Sequence, residues 1–399
     1  MKERYFDHAS TTYLDQRVLQ TMLPFFSENF GNPSSFHAVG LKAKVAVTEA
    51  RKKIAAILNS REEEIIFTSG GTESDNLALI GTIRAHSGRG KHVITSSIEH
   101  HAVLEPLLLL QKRGEIELTI LPVDREGLVS VKDIETALRP DTILISIMFA
   151  NNEIGTIQPI ADIGRSLLNW KKQQATNFPY FHTDACQAAG VLDLDVEKLH
   201  VDLMTINGSK IYGPKGIGLL YIRRGTRIEP MMIGGGQERN LRSGTENTPG
   251  IIGLSTALAL AQQEREQENA RLIELRQRLI EGLLKIPKTR LNGHPTERLP
   301  NNVNISFLDI EGEAAVLYLD AEGIYVSTGS ACASASLDPS HVILATGLSY
   351  EAAHGSLRFT LGKHTTDEDI DALISVMPNV VQKLRHMSPV NLDMKYFVK

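Results

Sequence analysis

The stretch "EIIFTSGGTESDNLALIGTIRAHSGRGKHVITSS" (residues 64–97) contains the unit that decides the fold. Its apolar runs at 64–68 and 92–97 have the length of buried strands, and the segment 74–86 between them has the length of a helix. The alternation continues with apolar runs at 116–121, 142–150, 180–184, 202–206 and 218–222 and helical segments at 101–113, 130–138 and 159–174. Such a pattern predicts an α/β fold with a largely parallel sheet, which binds ligands beyond the carboxyl ends of its strands.

A change in character after residue 250 predicts a second, smaller domain. A long helical segment covers about 251–286, with apolar residues at steps of three and four, namely Leu272, Leu275, Leu279, Leu283 and Ile286. Strand-like runs follow at 302–307, near 324–327 and at 356–361, with helical segments from about 311 and at 366–385. We expect a large domain over 16–262 and a small α+β domain of 1–15 and 263–399, which carries a loop at about 326–338.

The composition limits the kinds of partner. The chain has 399 residues, 42% hydrophobic and 22% charged, and its net charge of −5 favours neither nucleic acid nor an anionic membrane. The start "MKERYFDHAS" shows no secretory signal, and no apolar run approaches the ~18–20 residues of a membrane span. Two cysteines are too few for a disulfide framework or a four-thiolate metal site. We therefore expect a cytoplasmic protein without a metal.

A glycine turn in "FTSGGTESDN" (67–76) follows the first of these strands and opens a helix. Gly70 and Gly71 let the backbone approach a ligand, and Thr72 adds a hydroxyl beside the first helical amides. Such a turn can bind a phosphate. The same residues are equally consistent with an ordinary glycine turn and a helix cap.

Charged residues stand at the ends of two later strands. Asp184, in "HTDACQAAG" (182–190), is either a helix cap or the partner of a cation such as a protonated ring nitrogen. Lys210 is either a surface lysine or a Schiff-base lysine, and Lys215 competes with it for that role. Cys186 is predicted to be a small packed residue.

Other strand ends add histidines in "SSIEHHAVL" (96–104) and amides in "ANNEIGTIQ" (150–158). Each signal is weak alone, because a single histidine or amide is usually structural. Parallel strands bring their carboxyl ends to one edge, so we expect these groups to share a crevice. A phosphate site, a histidine, an amide, an acid and a lysine together are what pyridoxal 5'-phosphate needs.

These motifs and their order resemble the cysteine desulfurases of the NifS/IscS type. The matching stretches are "FTSGGTESDN", "IEHHAV", "NNEIG", "TDACQ", "GSKIYGPKG", "RSGTEN", "STGSACASAS" and "SLRFTLG". The resemblance runs from "FDHASTT" to about residue 385. It implies the fold of the aspartate aminotransferases (fold type I, a mainly parallel seven-stranded sheet and a smaller α+β domain), a homodimer, pyridoxal 5'-phosphate as cofactor and L-cysteine as substrate.

The resemblance also implies roles for individual residues. Lys210 resembles the lysine that holds the cofactor, His100 the histidine stacked on its ring, and Asp184 the acid paired with the ring nitrogen. The other matched positions are Gln187 and Asn152 near the phenolic oxygen, Gly71, Thr72, Asn207 and Ser209 at the phosphate, Thr245 at the other subunit's phosphate, and Arg358, Asn32 and Asn152 at the substrate.

Cys332, in "VSTGSACASASLD" (326–338), resembles the family's catalytic cysteine on a long loop. Its thiolate is expected to take the sulfur of L-cysteine as a persulfide, with His100 as the base, and to pass it to an acceptor for iron–sulfur clusters or for thiolation of tRNA or cofactors. Ser209 and Asn207 depart from the family's usual histidine and serine, which predicts weaker cofactor retention. The alternatives are a selenocysteine lyase or another enzyme of the family, and a non-catalytic regulatory binding protein.

Overall fold

A computed structural model describes residues 2–329 and 338–397 of the chain. The strands are β1 (Arg4–Tyr5), β2 (Ile65–Thr68), β3 (His92–Ser96), β4 (Glu117–Leu121), β5 (Thr142–Ser146), β6 (Tyr180–Asp184), β7 (Leu203–Asn207), β8 (Gly218–Ile222), β9 (Thr289–Asn292), β10 (Asn302–Phe307), β11 (Ile324–Tyr325) and β12 (Ser356–Thr360). The helices are α1 (Gln16–Met22), α2 (Pro24–Ser27), α3 (Ala38–Leu58), α4 (Gly71–Ala85), α5 (His101–Lys112), α6 (Val131–Ala137), α7 (Ile160–Gln173), α8 (Val196–Leu199), α9 (Thr248–Leu283), α10 (Gly312–Ala321), α11 (His341–Ala345), α12 (Tyr350–His354) and α13 (Asp367–Met387). Among the helices of these two ranges, none is long and apolar enough to cross a membrane.

Seven strands form the large sheet, in the order β2-β8-β7-β6-β5-β3-β4. Strand β8 pairs antiparallel with β2 and with β7, and every other neighbouring pair is parallel. The predicted mainly parallel seven-stranded sheet is therefore confirmed. Strands β2, β3, β5, β6 and β7 all end at the same edge, and that edge positions the site.

The two faces of this sheet pack into separate apolar cores. Because side chains alternate along a strand, Ile66 and Leu144 belong to the core under α4 and α5. Their neighbours Phe67 and Ile145 belong to the core under α3, α7 and the first half of α9. Fully burying one such side chain stabilises the fold by about 1.5–3 kcal/mol, so coverage on both faces fixes the sheet.

A third core surrounds the antiparallel sheet β12-β10-β9. The predicted apolar face of the long helix is confirmed, because the residues forming it are buried in this core: Leu272, Leu275, Leu279, Leu283 and Ile286. Phe6, which follows β1, is buried there as well, and β1 pairs in parallel with β11. The first residues of the chain therefore pack with its last third. The domain boundaries at 15/16 and 262/263 stay a prediction.

The main element that the sequence did not predict is α3. Its buried face contains Ala43, Val47, Ala50, Ile54 and Leu58 at helical spacing. Two of these five are alanines, so the apolar periodicity is weak in the sequence. The strand predicted over 142–150 is shorter, since β5 ends at Ser146, although the residues up to Ala150 are buried.

Candidate active site

A cavity of about 300 Å3 lies at the edge where the five strands end. Most residues that the sequence predicted for the site line it, namely Gly71, Thr72, His100, Asn152, Asp184, Gln187, Asn207, Lys210 and Arg358. The N-terminal segment adds Ala9 and Ser10 to the wall. The topology therefore gathers side chains from widely separated parts of the chain into one pocket.

Lys210 reaches the cavity from the turn that follows β7. Its Nζ donates to the carbonyl oxygen of Ala9 at 2.8 Å and to that of Ser10. Lys215 is exposed and outside this cavity, and its Nζ donates to the carbonyl oxygen of Thr12 at 3.2 Å. Of the two lysines that the sequence left in competition, Lys210 lines this cavity and Lys215 does not.

Asp184 ends β6 and is buried in the cavity wall. Its Oδ1 accepts the backbone N–H of Cys186 at 2.8 Å, so the carboxylate stabilises the following turn while it faces the cavity. Of the two alternatives left by the sequence, the helix cap is wrong in detail, because a turn and not a helix follows β6. Gln187 donates through Nε2 to the carbonyl oxygen of Ala9 at 3.0 Å.

Two further buried groups lie beside Asp184, and the sequence analysis missed both. Burial raises the pKa of Asp75 well above its ordinary value, and Asp184 raises it further. Burial also lowers the pKa of His182 to about 4. His182 Nε2 lies 3.6 Å from Asp75 Oδ1, and its ring contacts the hydroxyls of Ser146 and Thr205. Uncharged forms of both groups are favoured.

Glu99 is a third buried acid, directly before His100. Its Oε1 accepts the hydroxyl of Ser96 at 2.6 Å and the backbone N–H of Met148 at 3.0 Å. Burial, the largest influence, raises the pKa of Glu99 to about 8. Met148 lines the cavity, so Glu99 fixes part of the wall as a mostly protonated acid at neutral pH.

The start of α4, where the sequence predicts a phosphate cradle, lines the cavity with Gly71 and Thr72. A Cβ added to Gly71 would lie 2.8 Å from Cys186 Sγ, so a larger residue does not fit there. Burial raises the pKa of the Cys186 thiol well above its ordinary value. Cys186 is therefore a packed, protonated thiol, in agreement with the sequence-based interpretation.

Asn207 and Ser209, which depart from the family pattern, bond to each other. Asn207 Oδ1 accepts the backbone N–H of Ser209 at 3.2 Å and its hydroxyl at 3.3 Å. Asn207 lines the cavity, whereas Ser209 does not. The serine hydroxyl is thus engaged by its neighbour on the rim of the cradle.

His100 caps α5 through its ring. Nδ1 accepts the backbone N–H of Ala102 at 3.1 Å, and burial lowers the pKa of the imidazole. This hydrogen bond assigns the proton of the neutral ring to Nε2. The hydrogen bonding therefore favours His100 as a donor toward the cavity rather than as the base expected from the sequence.

Arg358 lies on β12 and is only 2% exposed. Its Nη2 donates to Asp7 Oδ1 at 2.7 Å and to Ser10 Oγ at 2.7 Å. Its Nη1 donates to the carbonyl oxygen of Asn152 at 3.1 Å. The guanidinium thus lines the cavity, while its Nη2 is engaged by the N-terminal segment.

The family model of the class-V aminotransferases ("Aminotransferase class-V") matches residues 4–373 of the chain. The chain belongs to the aminotransferase class-V family. Cysteine desulfurase IscS of Methanosarcina thermophila is 56% identical over 389 residues, which are 98% of this chain and 94% of that protein. Cysteine desulfurase IscS of Clostridium botulinum (strain Hall) is 52% identical over 392 residues, 98% of this chain and 97% of that protein. A solved NifS-like protein superposes with a TM-score of 0.87 and 37% identity, covering 97% of this chain and 99% of its own.

These similarities confirm the resemblance to the NifS/IscS type and fold type I for this class-V chain. Besides Ser209, two more of the described residues that were expected at the site do not line the cavity of a single chain. Asn32 is exposed, and its Oδ1 accepts the backbone N–H of Ser34 at 2.9 Å. Thr245 is exposed as well, and it is expected to contact the phosphate bound by a second copy of the chain. Both roles stay predictions.

Cys332, the nucleophile expected from class-V relatives of the NifS/IscS type, lies outside the described residues. Gly329, the last residue described before it, lines the cavity. A Cβ on Gly329 would lie 2.9 Å from Glu153 Oε2, and its φ of +95° suits glycine. Gly329, on the cavity wall, therefore stands three positions before Cys332 in the sequence.

Proposed function

We propose that this protein is a cysteine desulfurase that uses pyridoxal 5'-phosphate. The overall reaction converts L-cysteine and the Cys332 thiol into L-alanine and a Cys332 persulfide. The observation that carries the proposal is the convergence of Lys210, Asp184 and Arg358 on one cavity. The relatives described above, which are named cysteine desulfurases, support the same activity.

The residues present fit the cofactor group by group. Amides at the start of α4, with Thr72 and Asn207, offer donors for the phosphate. Asp184 offers a carboxylate for the ring nitrogen, and Lys210 offers an amine for the aldehyde. When bound, the cofactor supplies an electron-accepting ring that stabilises negative charge at the substrate Cα.

The protein's own groups then act on the amino acid. Arg358 binds the substrate carboxylate, because a guanidinium fork matches a carboxylate. Lys210 Nζ, held in the cavity by the carbonyls of Ala9 and Ser10, takes the proton from Cα and returns one. Asn152 lines the same wall and completes the substrate contacts.

Cys332 receives the sulfur. Its thiolate attacks the sulfur of the substrate, the S–S bond forms, and the carbon–sulfur bond breaks with its electron pair moving to the substrate carbon. Cys332 stands three positions after Gly329, which lines the cavity. An extended chain spans roughly 3.6 Å per residue, so the thiol is within reach of the cavity. The Nε2–H of His100 stabilises a thiolate by donation.

We also propose a homodimer. Three of the four most exposed large apolar side chains among the described residues lie in two segments, with Phe30 69% exposed, Phe36 94% and Ile233 88%. Met231 and Met232 lie beside Thr72 at the rim of the phosphate cradle. A second copy that covers these side chains would approach the cradle, in agreement with the role expected for its Thr245. Apolar groups exposed to this extent are typical of interfaces.

The fate of the sulfur is part of the same proposal. We assign it to an acceptor protein, an iron–sulfur scaffold or a thiolation protein, in a reducing cytoplasmic setting. A persulfide needs a thiol partner that accepts its outer sulfur, and such exchange proceeds between thiols by nucleophilic attack.

The deciding experiment measures L-alanine and sulfide from L-cysteine with a reductant, and compares L-selenocysteine in parallel. We expect equal amounts of both products from the wild type and neither from Cys332→Ser. Cys186→Ala, which removes the buried thiol, serves as the matched control and keeps turnover. A cofactor-bound protein that releases neither product would contradict the proposal and favour the regulatory alternative.

A further inference from the structure

Arg358 already has a carboxylate partner inside the protein. Asp7 Oδ1 lies 2.7 Å from its Nη2, and Ser10 Oγ lies 2.7 Å from the same nitrogen. Ser10 also donates to Asp7 Oδ1 at 2.8 Å, so the three side chains form a closed triangle. Both hydrogens of Nη2 are thereby used, since an amino end of arginine has two.

The remaining donors of Arg358 cannot form a two-point contact by themselves. A carboxylate binds an arginine through Nη2 together with either Nη1 or Nε. Nη1 donates to the carbonyl oxygen of Asn152, while Nε is buried and unpaired among the described residues. In the pair Nη1 and Nη2, and in the pair Nε and Nη2, only the first nitrogen has a hydrogen left to donate, because both hydrogens of Nη2 are used. An entering carboxylate needs a donor that Asp7 or Ser10 holds.

From this geometry we infer that Asp7 is a competing carboxylate that sets the affinity of Arg358 for its ligands. The inference rests on the proposed function, in which Arg358 binds the substrate carboxylate. With Asp7 paired to Arg358, these two side chains together present no net charge to the carboxylate of the ligand. Substrate and product both carry the carboxylate that Asp7 mimics, so the competition weakens both and speeds release of L-alanine.

The surroundings allow Asp7 to exchange without moving the backbone. The backbone is anchored before and after Asp7, since Phe6 N donates to the carbonyl oxygen of Tyr325 at 2.8 Å and Ala9 N donates to Thr360 Oγ1 at 2.9 Å. The side chain of Asp7 is 19% exposed, against 2% for Arg358. Water can therefore solvate the carboxylate of Asp7 when its hydrogen bond to Arg358 breaks. The guanidinium of Arg358 stays buried and then needs a new partner.

The test titrates propionate, a carboxylate without an amino group, into the cofactor-loaded protein by calorimetry. Asp7→Asn keeps the acceptor oxygen and removes the charge, so propionate should bind roughly tenfold more tightly, as expected for removing one charge at contact distance from the ligand's partner. KM for L-cysteine should fall in the same variant, and inhibition by L-alanine should strengthen. Asp7→Glu, which keeps the charge, should bind propionate within about twofold of the wild type.

Two further variants separate the effect of the Asp7 charge from the loss of any charge in this segment and from the release of one donor of Arg358. Glu3→Gln removes a charge from an exposed residue of the same segment, and it should leave propionate binding unchanged. Ser10→Ala frees a donor without changing the charge and should tighten binding by less than Asp7→Asn. If Asp7→Asn bound propionate as the wild type does, or more weakly, Asp7 would be only a support for Arg358 and the inference would be wrong.

Failure of the inference can be told from failure of the proposed function. If Arg358→Gln bound propionate as tightly as the wild type, Arg358 would not be the carboxylate site, and the inference would be overturned with that assignment. If the wild type did not consume L-cysteine but Asp7→Asn still bound propionate more tightly, the competition would stand and the substrate assignment would fail.

Discussion

Asp75 Oδ1 and His182 Nε2 lie 3.6 Å apart beside Asp184, and burial favours the uncharged form of both. An acid with a lowered pKa at this place would add a second charge next to the one expected to pair with the cofactor ring. The raised pKa of Asp75 avoids that. A single carboxylate can then face a ring nitrogen without competition.

Asp75→Asn tests this arrangement, because asparagine has the shape of the protonated acid. We expect turnover of L-cysteine within about threefold of the wild type and an unchanged absorbance of the bound cofactor. Asp184→Asn is the matched variant, and it should lower kcat by about 100-fold or more, as loss of a preorganised charge does. Equal losses in the two variants would contradict the division of roles.

Glu99→Gln should change the pH dependence of stability. Burial raises the pKa of Glu99 to about 8 from an ordinary 4.5, so the folded protein holds a proton that the unfolded chain has lost. The free energy of unfolding therefore falls as pH rises between these values, by up to about 1.4 kcal/mol per pH unit from this group. The variant should lose this slope in urea unfolding between pH 5 and pH 8.

The matched control for that measurement is Glu274→Gln, an exposed glutamate on α9. Its unfolding profile should follow that of the wild type. A Glu99→Gln slope equal to the wild-type slope would show that Glu99 ionises normally in the folded protein.

Gly71→Ala should disturb the phosphate cradle, because its Cβ would lie 2.8 Å from Cys186 Sγ. We expect a loss of about 1–3 kcal/mol in the free energy of unfolding, as for other overpacked sites, and weaker retention of the cofactor. The double variant with Cys186→Ala should recover most of the stability. Gly88→Ala, whose Cβ meets no atom within 4 Å, is the control. No recovery in the double variant would exclude this contact as the cause.

Ser209→His should strengthen cofactor binding. The serine hydroxyl is held by Asn207, whereas an imidazole could add a donor, and part of a positive charge, beside the phosphate. We expect the dissociation constant of pyridoxal 5'-phosphate, from equilibrium dialysis, to fall roughly fivefold. Ser209→Ala should bind the cofactor like the wild type. An unchanged constant in Ser209→His would refute the expected weakness of this cradle.

Replacing the two lysines separately should distinguish their roles. Lys210→Ala is expected to abolish turnover, because Lys210 Nζ lies in the cavity. Lys215→Ala removes an exposed side chain outside it and should keep turnover within about twofold. Alanine production assayed at saturating cofactor provides the comparison. Turnover at the wild-type rate by Lys210→Ala would end the proposed mechanism.

The fold was predictable where apolar runs alternate with helical spacing. The strands that contain Phe67 and Phe181 appear in the sequence as apolar runs, because both of their faces are buried. Helix α3 was missed, since alanines such as Ala43 and Ala50 fill its buried face and give little periodic signal. A helix that packs with small side chains is fixed by its neighbours rather than by its own pattern.

The site was predictable where a strand end carries a chemical group, as at Asp184 and Lys210. Asp75 had a usable signal, because it stands one helical turn after Gly71 and so lies on the same side of α4. The pairing of Asp7 with Arg358 had none. It joins residues 351 positions apart, and they meet because the segment after β1 lies beside β12, where Asp7 forms a bridge with Thr360.

The pairing of β1 with β11, and of the N-terminal segment with Lys210 and Arg358, has a consequence for synthesis on the ribosome. Residues 4–10 are made long before these partners, because Lys210 emerges about 200 residues later and β11 and Arg358 about 320 to 350 residues later. At roughly 5–20 residues per second, translation of that distance takes on the order of 20 s or more. Through this interval the nascent chain carries an unpaired strand and Phe6 without its core. The candidate active site, which contains Arg358, is therefore among the last parts of the protein to assemble.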